Sequence, residues 1–298
     1  LPELRGRLRA LGLPTAAAPP RSALDPPTLG RVRARVAAIP PDDREPALRY
    51  AYGRYLYFAG EPREAIAELD ALSPFDLPLS RGGPGARFRV RAAYVAAVAA
   101  LALGDVDDAM DRLARLVKAS PADPGDRRIV ELAWLARARV NHDRGEYARA
   151  LQAYRRIGRA SPYYFTAVYE GAWTLLRAER FDQAAEALDR LLELEPDGAL
   201  TPELRQLRAK LRIKEGKLSA AEGEFEALRQ DFERRGRALA ALDAPAAYFA
   251  AIAAAEGDAF QLAAVLPPSL APIAATLPRA RQAEALARDL GALDRDLA

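Results

Sequence analysis

The residues best suited to chemistry in this chain are few. Its one histidine, His142, stands between Asn141 and Asp143, where a carboxylate could tune an imidazole for proton transfer. A lone histidine cannot build a His-rich metal site and argues against a Ser-His-Asp triad. At the end of a helical pattern it is more simply a solvated or capping residue. The paired acids Asp42/Asp43 and Asp107/Asp108 fall at turns and helix starts, where they favour the helix dipole. With no cysteine there is no thiol nucleophile, disulfide frame or cysteine metal site. No phosphate loop, metal-ligand spacing or nucleophile motif occurs. The sequence reads as non-catalytic, with no metal and no cofactor.

Charge narrows the partner class. The 298 residues carry 44 Lys and Arg against 41 Asp and Glu, a formal net charge of +3, with the signs interspersed. A dedicated nucleic-acid binder concentrates basic charge on one face, so no nucleic acid is expected. Arg5, Arg7, Arg9, Arg31, Arg33 and Arg35 give the N-terminal part a basic tilt that could touch an anionic surface or simply be a solvated helix face. The only lysines are Lys118, Lys210, Lys214 and Lys217, a bias that fits GC-rich codon usage. No apolar run reaches the roughly 20 residues of a membrane span. The chain begins at Leu1, which reads as a trimmed or mature fragment from which a signal peptide or lipid anchor could have been removed.

The organising stretch is Ser161 to Pro196. It reads as two amphipathic helices joined by a tight turn at Ala178–Arg180. The first has Val168, Ala172, Leu175 and Leu176 at helical spacing, and the second has Ala184, Ala185, Leu188, Leu191 and Leu192. One such pair cannot bury its apolar face alone, so it must stack on copies of itself. Four other pairs follow the same plan, with turns at Gly60, Gly104, Gly145 and Gly216, and Glu179 stands where those have glycine. Before them lie a proline-rich arm over 1–26 and a leading helix within 27–45, with Val32, Val36 and Ile39 on one face. Ser73 to Arg87 is rich in proline and glycine and reads as a mobile surface loop. Beyond Glu233 the pattern decays, leaving 234–298 as a C-terminal helical cap whose last helix carries Leu286, Leu290, Leu293 and Leu297.

These units resemble tetratricopeptide repeats across 46–233. A small residue follows each turn by five positions: Ala65, Ala109, Ala150, Ala184 and Ala221. Pro62, Val106, Tyr147, Phe181 and Leu218 follow by two, at the helix-pair junction. Pro121, Pro162 and Pro196 close three repeats, Trp134 takes a position where the family often has tryptophan, and Gly53 takes its small mid-helix site. The resemblance implies an all-α, right-handed superhelical solenoid of about five helix pairs with the C-terminal cap.

It also implies a concave groove lined by the first helix of each pair. Carried over position by position, the groove residues are Tyr50, Arg54 and Tyr57; Arg91, Tyr94 and Val98; Leu135, Arg139 and His142; Tyr169, Trp173 and Leu176; and Gln206, Lys210 and Ile213. Aromatic rings and cations are common at interaction hot spots, although the same rings could simply pack between helices. Asparagines that would mark a clamp for chaperone tails are missing. The expected function is a non-catalytic scaffold binding a protein or peptide partner. The organising stretch is similar to repeats of bacterial cell-envelope proteins, including Tol-Pal-associated, outer-membrane assembly and gliding-motility types. That implies a periplasmic or envelope location, with the cytoplasm as second reading. An alternative is a docking or regulatory domain of a larger enzyme that continues past Ala298, motivated by the open leucine seam.

Overall fold

The computed structural model describes residues 26–74, 79, 85–196 and 200–241, together with 266, 267, 269–271, 274 and 282. The N-terminal arm before Pro26, most of the Ser73–Arg87 insertion and nearly all of the C-terminal cap with its leucine seam lie outside them. Among the described residues the structure is entirely helical. A leading helix α1 (Pro26–Ala37) buries Val36 and is followed by one 3-10 turn (Pro41–Asp43). Five pairs then succeed one another: α2 (Pro46–Ala59) with α3 (Pro62–Asp70), α4 (Ala86–Leu103) with α5 (Val106–Leu116), and α6 (Pro124–Asp143) with α7 (Tyr147–Tyr154). The fourth is α8 (Tyr164–Arg177) and α9 (Phe181–Leu194), and the fifth is α10 (Thr201–Lys214) and α11 (Leu218–Ala240).

The chain divides into two compact units with the boundary between Ala178 and Glu179. In the first unit each helix from α2 to α8 packs on the next, and the first helices of the pairs also stack directly, α2 on α4 and α4 on α6. In the second, α10 packs on both α9 and α11.

The turns explain the register. Gly60, Gly104, Gly145 and Gly216 all hold left-handed φ values between 75° and 86°, which cost glycine nothing. After each of these glycines the next amide donates back to the carbonyl five residues earlier, as from Glu61 to Leu56 at 2.9 Å and Glu146 to Asn141 at 2.8 Å. Glu179 occupies the same conformation at φ 57° with a side chain that disfavours it. Glu179→Gly is therefore expected to stabilise the protein by about 0.5–1 kcal/mol, less than the full strain because glycine also loosens the unfolded chain. Thermal unfolding of the two proteins checks this, and an unchanged or lower midpoint would contradict it.

Two columns of small residues mark the five pairs, and within each unit they let the two helices of a pair approach closely. Seven before each turn stand Gly53, Ala97, Ala138, Ala172 and Ala209, and five after it stand Ala65, Ala109, Ala150, Ala184 and Ala221. All are buried, and none of the alanines is more than 2% exposed. Larger apolar residues close the layers between them, with Leu113 and Leu116 against Ala97 and Ala133, and Tyr154 and Ile157 against Leu135 and Ala167. The residues two after the turns are each the first residue of a helix. One departs from the expected junction packing: Leu218 is 64% exposed.

Three helix limits differ from the sequence reading. Helix α4 begins at Ala86 rather than Val90, directly after the left-handed Gly85. Helix α6 starts at Pro124, two turns before the apolar periodicity. Asp123 accepts the Asp126 amide at 2.9 Å there, and Pro124 needs no donor partner in the first turn. Helix α11 runs past Glu233 to Ala240, and Asp231 ties the added residues to the preceding turn through Arg234 and through the largely buried Arg235 at 2.8 Å.

Candidate functional site

In the first unit, α2 presents Tyr50, Arg54 and Tyr57 at spacings of four and three, which puts them on one face. Arg54 is exposed, and its guanidinium lies 5.6 Å from the Tyr50 ring centroid and 5.8 Å from that of Phe58. Tyr50 stacks on Phe88 of α4 at 5.2 Å, joining the faces of two successive first helices. Tyr57 is half-buried, and burial raises its hydroxyl pKa. These contacts keep the aromatic rings ordered while leaving the Arg54 cation at the surface.

Arg91 and Tyr94 continue the face on α4. Arg91 donates to Asp126 of α6 at 2.9 Å and approaches Asp123 at 3.5 Å, so its charge is already balanced. Tyr94 is half-buried, and burial pushes its hydroxyl from 10 up to about 12. Below pH 10 the group is protonated in folded and unfolded chains alike. Between pH 10 and 12 the unfolded chain releases the proton first, so stability falls as pH rises, by about 1.4 kcal/mol per unit from this one group. Urea unfolding across that window should show a shallower loss in Tyr94→Phe than in the parent; equal slopes would contradict the assignment.

Five of the expected groove residues prove to be internal, three of them polar or aromatic. Tyr169 is 1% exposed and His142 5% exposed, so neither meets solvent as a groove residue or as the solvated cap that a terminal histidine suggests. Both point into the packing because α6 and α8 are drawn together by a buried polar network. At its centre is Glu170 of α8, fully buried. The Arg139 guanidinium donates to both its oxygens, from Nε at 2.8 and 3.1 Å and from a terminal nitrogen at 2.6 Å, and the Tyr154 hydroxyl donates at 3.0 Å. Arg139 is thus the third residue whose role is inward: burial pulls its pKa down, and the Glu170 charge and hydrogen bonds more than offset that.

The network extends to the histidine. Thr174 Oγ1 donates to the Glu170 carbonyl at 2.9 Å and lies 2.6 Å from His142 Nδ1. Because the hydroxyl has one proton, Nδ1 must be the donor to it, which fixes the neutral tautomer with an unprotonated Nε2. Burial depresses the imidazole pKa, in keeping with a neutral ring. The His142 edge also packs on Tyr147 at 5.5 Å. This is a buried histidine with a structural role. Nothing in the sequence pattern singled out Glu170, although an acid in the run YFTAVYEGAWTLL, otherwise almost free of charge, is itself a signal.

Val98 and Leu135 are buried as well, whereas Trp173 is half-buried and meets Tyr169 edge-on at 6.5 Å. In the second unit Gln206, Lys210 and Ile213 of α10 are all exposed. The paired acids have structural partners, Asp108 with Arg112 at 2.7 Å and Asp107 with Arg144 at 2.5 Å. Among the described residues no group of His, Cys, Asp and Glu could hold a metal ion, and no helix is long and apolar enough to cross a membrane.

Tetratricopeptide-repeat family models match residues 91–122 and 142–211, which hold most of α4 with α5, and the chain from the end of α6 through most of α10. Together with the five registered helix pairs, this defines the fold as that of the tetratricopeptide repeats. Similar solved structures include MamA AMB-1, 18% identical over 61% of this chain and 96% of that one with a TM-score of 0.44. A MamA RS-1 double mutant is 18% identical over 64% and 96%, TM-score 0.47. Repeats of a Podosopora anserina putative kinesin light chain are 16% identical over 68% and 95%, TM-score 0.43. A comparison with curated proteins finds no match.

Proposed function

We propose that the protein is a non-catalytic scaffold that binds a protein or peptide partner on the exposed faces of its first helices, as part of a bacterial envelope complex. The observation that supports this most is Arg54, an exposed guanidinium held over Tyr50 and Phe58 with no carboxylate paired to it among the described residues. An available cation within ordered aromatic rings suits a peptide that brings one acidic group beside an apolar side chain. Tyr50, Arg54, Tyr57, Arg91, Tyr94 and the exposed part of Trp173 form the proposed surface of the first unit, and Lys210 belongs to that of the second. Tyr169, Arg139 and His142 serve it from beneath by holding α6 and α8 in place.

A photoreactive amino acid at position 54, compared with one at the exposed Asp111 on α5, tests the surface in living cells. A partner trapped from position 54 and not from 111 is expected; equal trapping from both would overturn the reading. The envelope location draws support from the cysteine-free composition and from the resemblance of the Ser161–Leu192 stretch to envelope repeats. Protease added to spheroplasts should degrade the protein, and protection until the inner membrane is lysed would place it in the cytoplasm.

A further inference from the structure

A second site lies on another face of α6. Arg137 and Arg139 are two residues apart, about 200° around the helix, so the side that carries Arg137 is remote from the Glu170 network. Trp134, Arg137 and Asn141 share that side at spacings of three and four. Facing them are Arg149 and Gln152 of α7 and Arg156 just beyond its end. Together they line a pocket of about 220 Å3 that contains no carboxylate.

The arginines there are poorly satisfied. Arg137 Nε is buried without a hydrogen-bond partner, an uncommon and costly state for a cationic donor. Burial lowers the Arg137 pKa and no neighbouring acid offsets it. Neither Arg137 nor Arg156 pairs with a carboxylate among the described residues. Both guanidiniums instead lie over Trp134, at 5.3 and 5.6 Å from the ring centroid, which orders the two forks. Arg149 does have a partner, Glu146 at 2.7 Å.

We propose that this pocket binds a phosphate-class oxyanion, either free phosphate or the phosphoryl group of a monoester. Charge and shape both favour it. Three guanidiniums less the Glu146 carboxylate leave two positive charges, matching the roughly −1.5 to −2 of a phosphate ester at neutral pH. A tetrahedral group offers oxygens in several directions to forks that converge from two helices, whereas a planar carboxylate serves one fork well. Neutral donors come from the buried Asn141 amide and the exposed Gln152 amide.

Isothermal titration calorimetry of the whole chain at fixed ionic strength, in chloride buffer, tests this with three probes: inorganic phosphate, O-phosphoserine and acetate. Saturable one-to-one binding of phosphate or O-phosphoserine is expected, weakened about tenfold or more in Arg137→Gln. The tighter of the two probes identifies a free ion or an ester as the source. Arg156→Gln, altered at an exposed position, should weaken binding similarly and stands in if Arg137→Gln does not fold. Absence of saturable binding, equal binding of acetate, or affinities unchanged in the folded variants would each overturn the proposal.

Discussion

Glu170→Ala is expected to lower the stability of the first unit by about 3–5 kcal/mol, a large part of the stability of any single domain. The carboxylate is fully buried and takes hydrogen bonds from Arg139 and Tyr154. Its removal leaves a guanidinium whose side chain is only 15% exposed, together with a buried phenol, both without their acceptor. Arg139→Ala should be similarly harmful, because it strands the carboxylate instead. The double variant Arg139→Met/Glu170→Leu removes both charges and should recover most of the loss, since a buried ion pair adds little over apolar packing of similar volume. Urea unfolding of the parent, Arg139→Met, Glu170→Leu and the double variant Arg139→Met/Glu170→Leu forms a double-mutant cycle. Losses that simply add would show that the two groups do not act as a pair.

Gly53→Val carries the second large effect, about 3 kcal/mol of destabilisation. A Cβ on Gly53 would lie 2.6 Å from Leu69 Cγ and 2.7 Å from its Cδ2, closer than carbon atoms approach. Leu69 is fully buried between α3 and α4 and cannot move aside without displacing Ala92 and Ala96. Even Gly53→Ala should destabilise, despite the better helix propensity of alanine by about 1 kcal/mol. Adding Leu69→Ala to Gly53→Val should cost far less than Leu69→Ala does alone, because the valine fills the space that the leucine leaves. Thermal and urea unfolding measure both, and a Gly53→Ala protein as stable as the parent would contradict the packing described.

What was legible in the sequence follows from this packing. A left-handed turn and a close helix approach admit few residue types, so Gly60, Gly104, Gly145 and the alanines five positions later announce themselves. Helix starts at Pro62, Val106, Tyr147, Phe181 and Leu218 follow from the same register. The ends held by side chains were harder to read. Asp123 caps α6 two turns ahead of any apolar pattern, and ion pairs of Asp231 with Arg234 and Arg235, rather than an apolar stripe, accompany the extension of α11.

The site divides along a similar line. Arg54 and Lys210 are exposed on their first helices, and Tyr50 and Tyr57 are half-buried. Arg139 and His142 have the same spacing yet face inward, because their environment depends on Glu170 and Thr174, about 30 residues away in the chain, and Tyr169 is buried beside Glu170. Periodicity tells which residues share a face; it does not tell how closely the next helix covers it. The arginine pocket around Trp134 was invisible for the same reason, since its lining converges from two helices.

The partner surface is tested most directly by crosslinking pull-downs that compare the parent with Tyr50→Ala/Arg54→Glu, shown by circular dichroism to keep its helical content. Both side chains lie outside the buried network, so folding should survive the change. The account expects a partner captured by the parent to be lost from this variant and retained by Asp111→Arg on the opposite helix of the next pair. Retention by Tyr50→Ala/Arg54→Glu would contradict it.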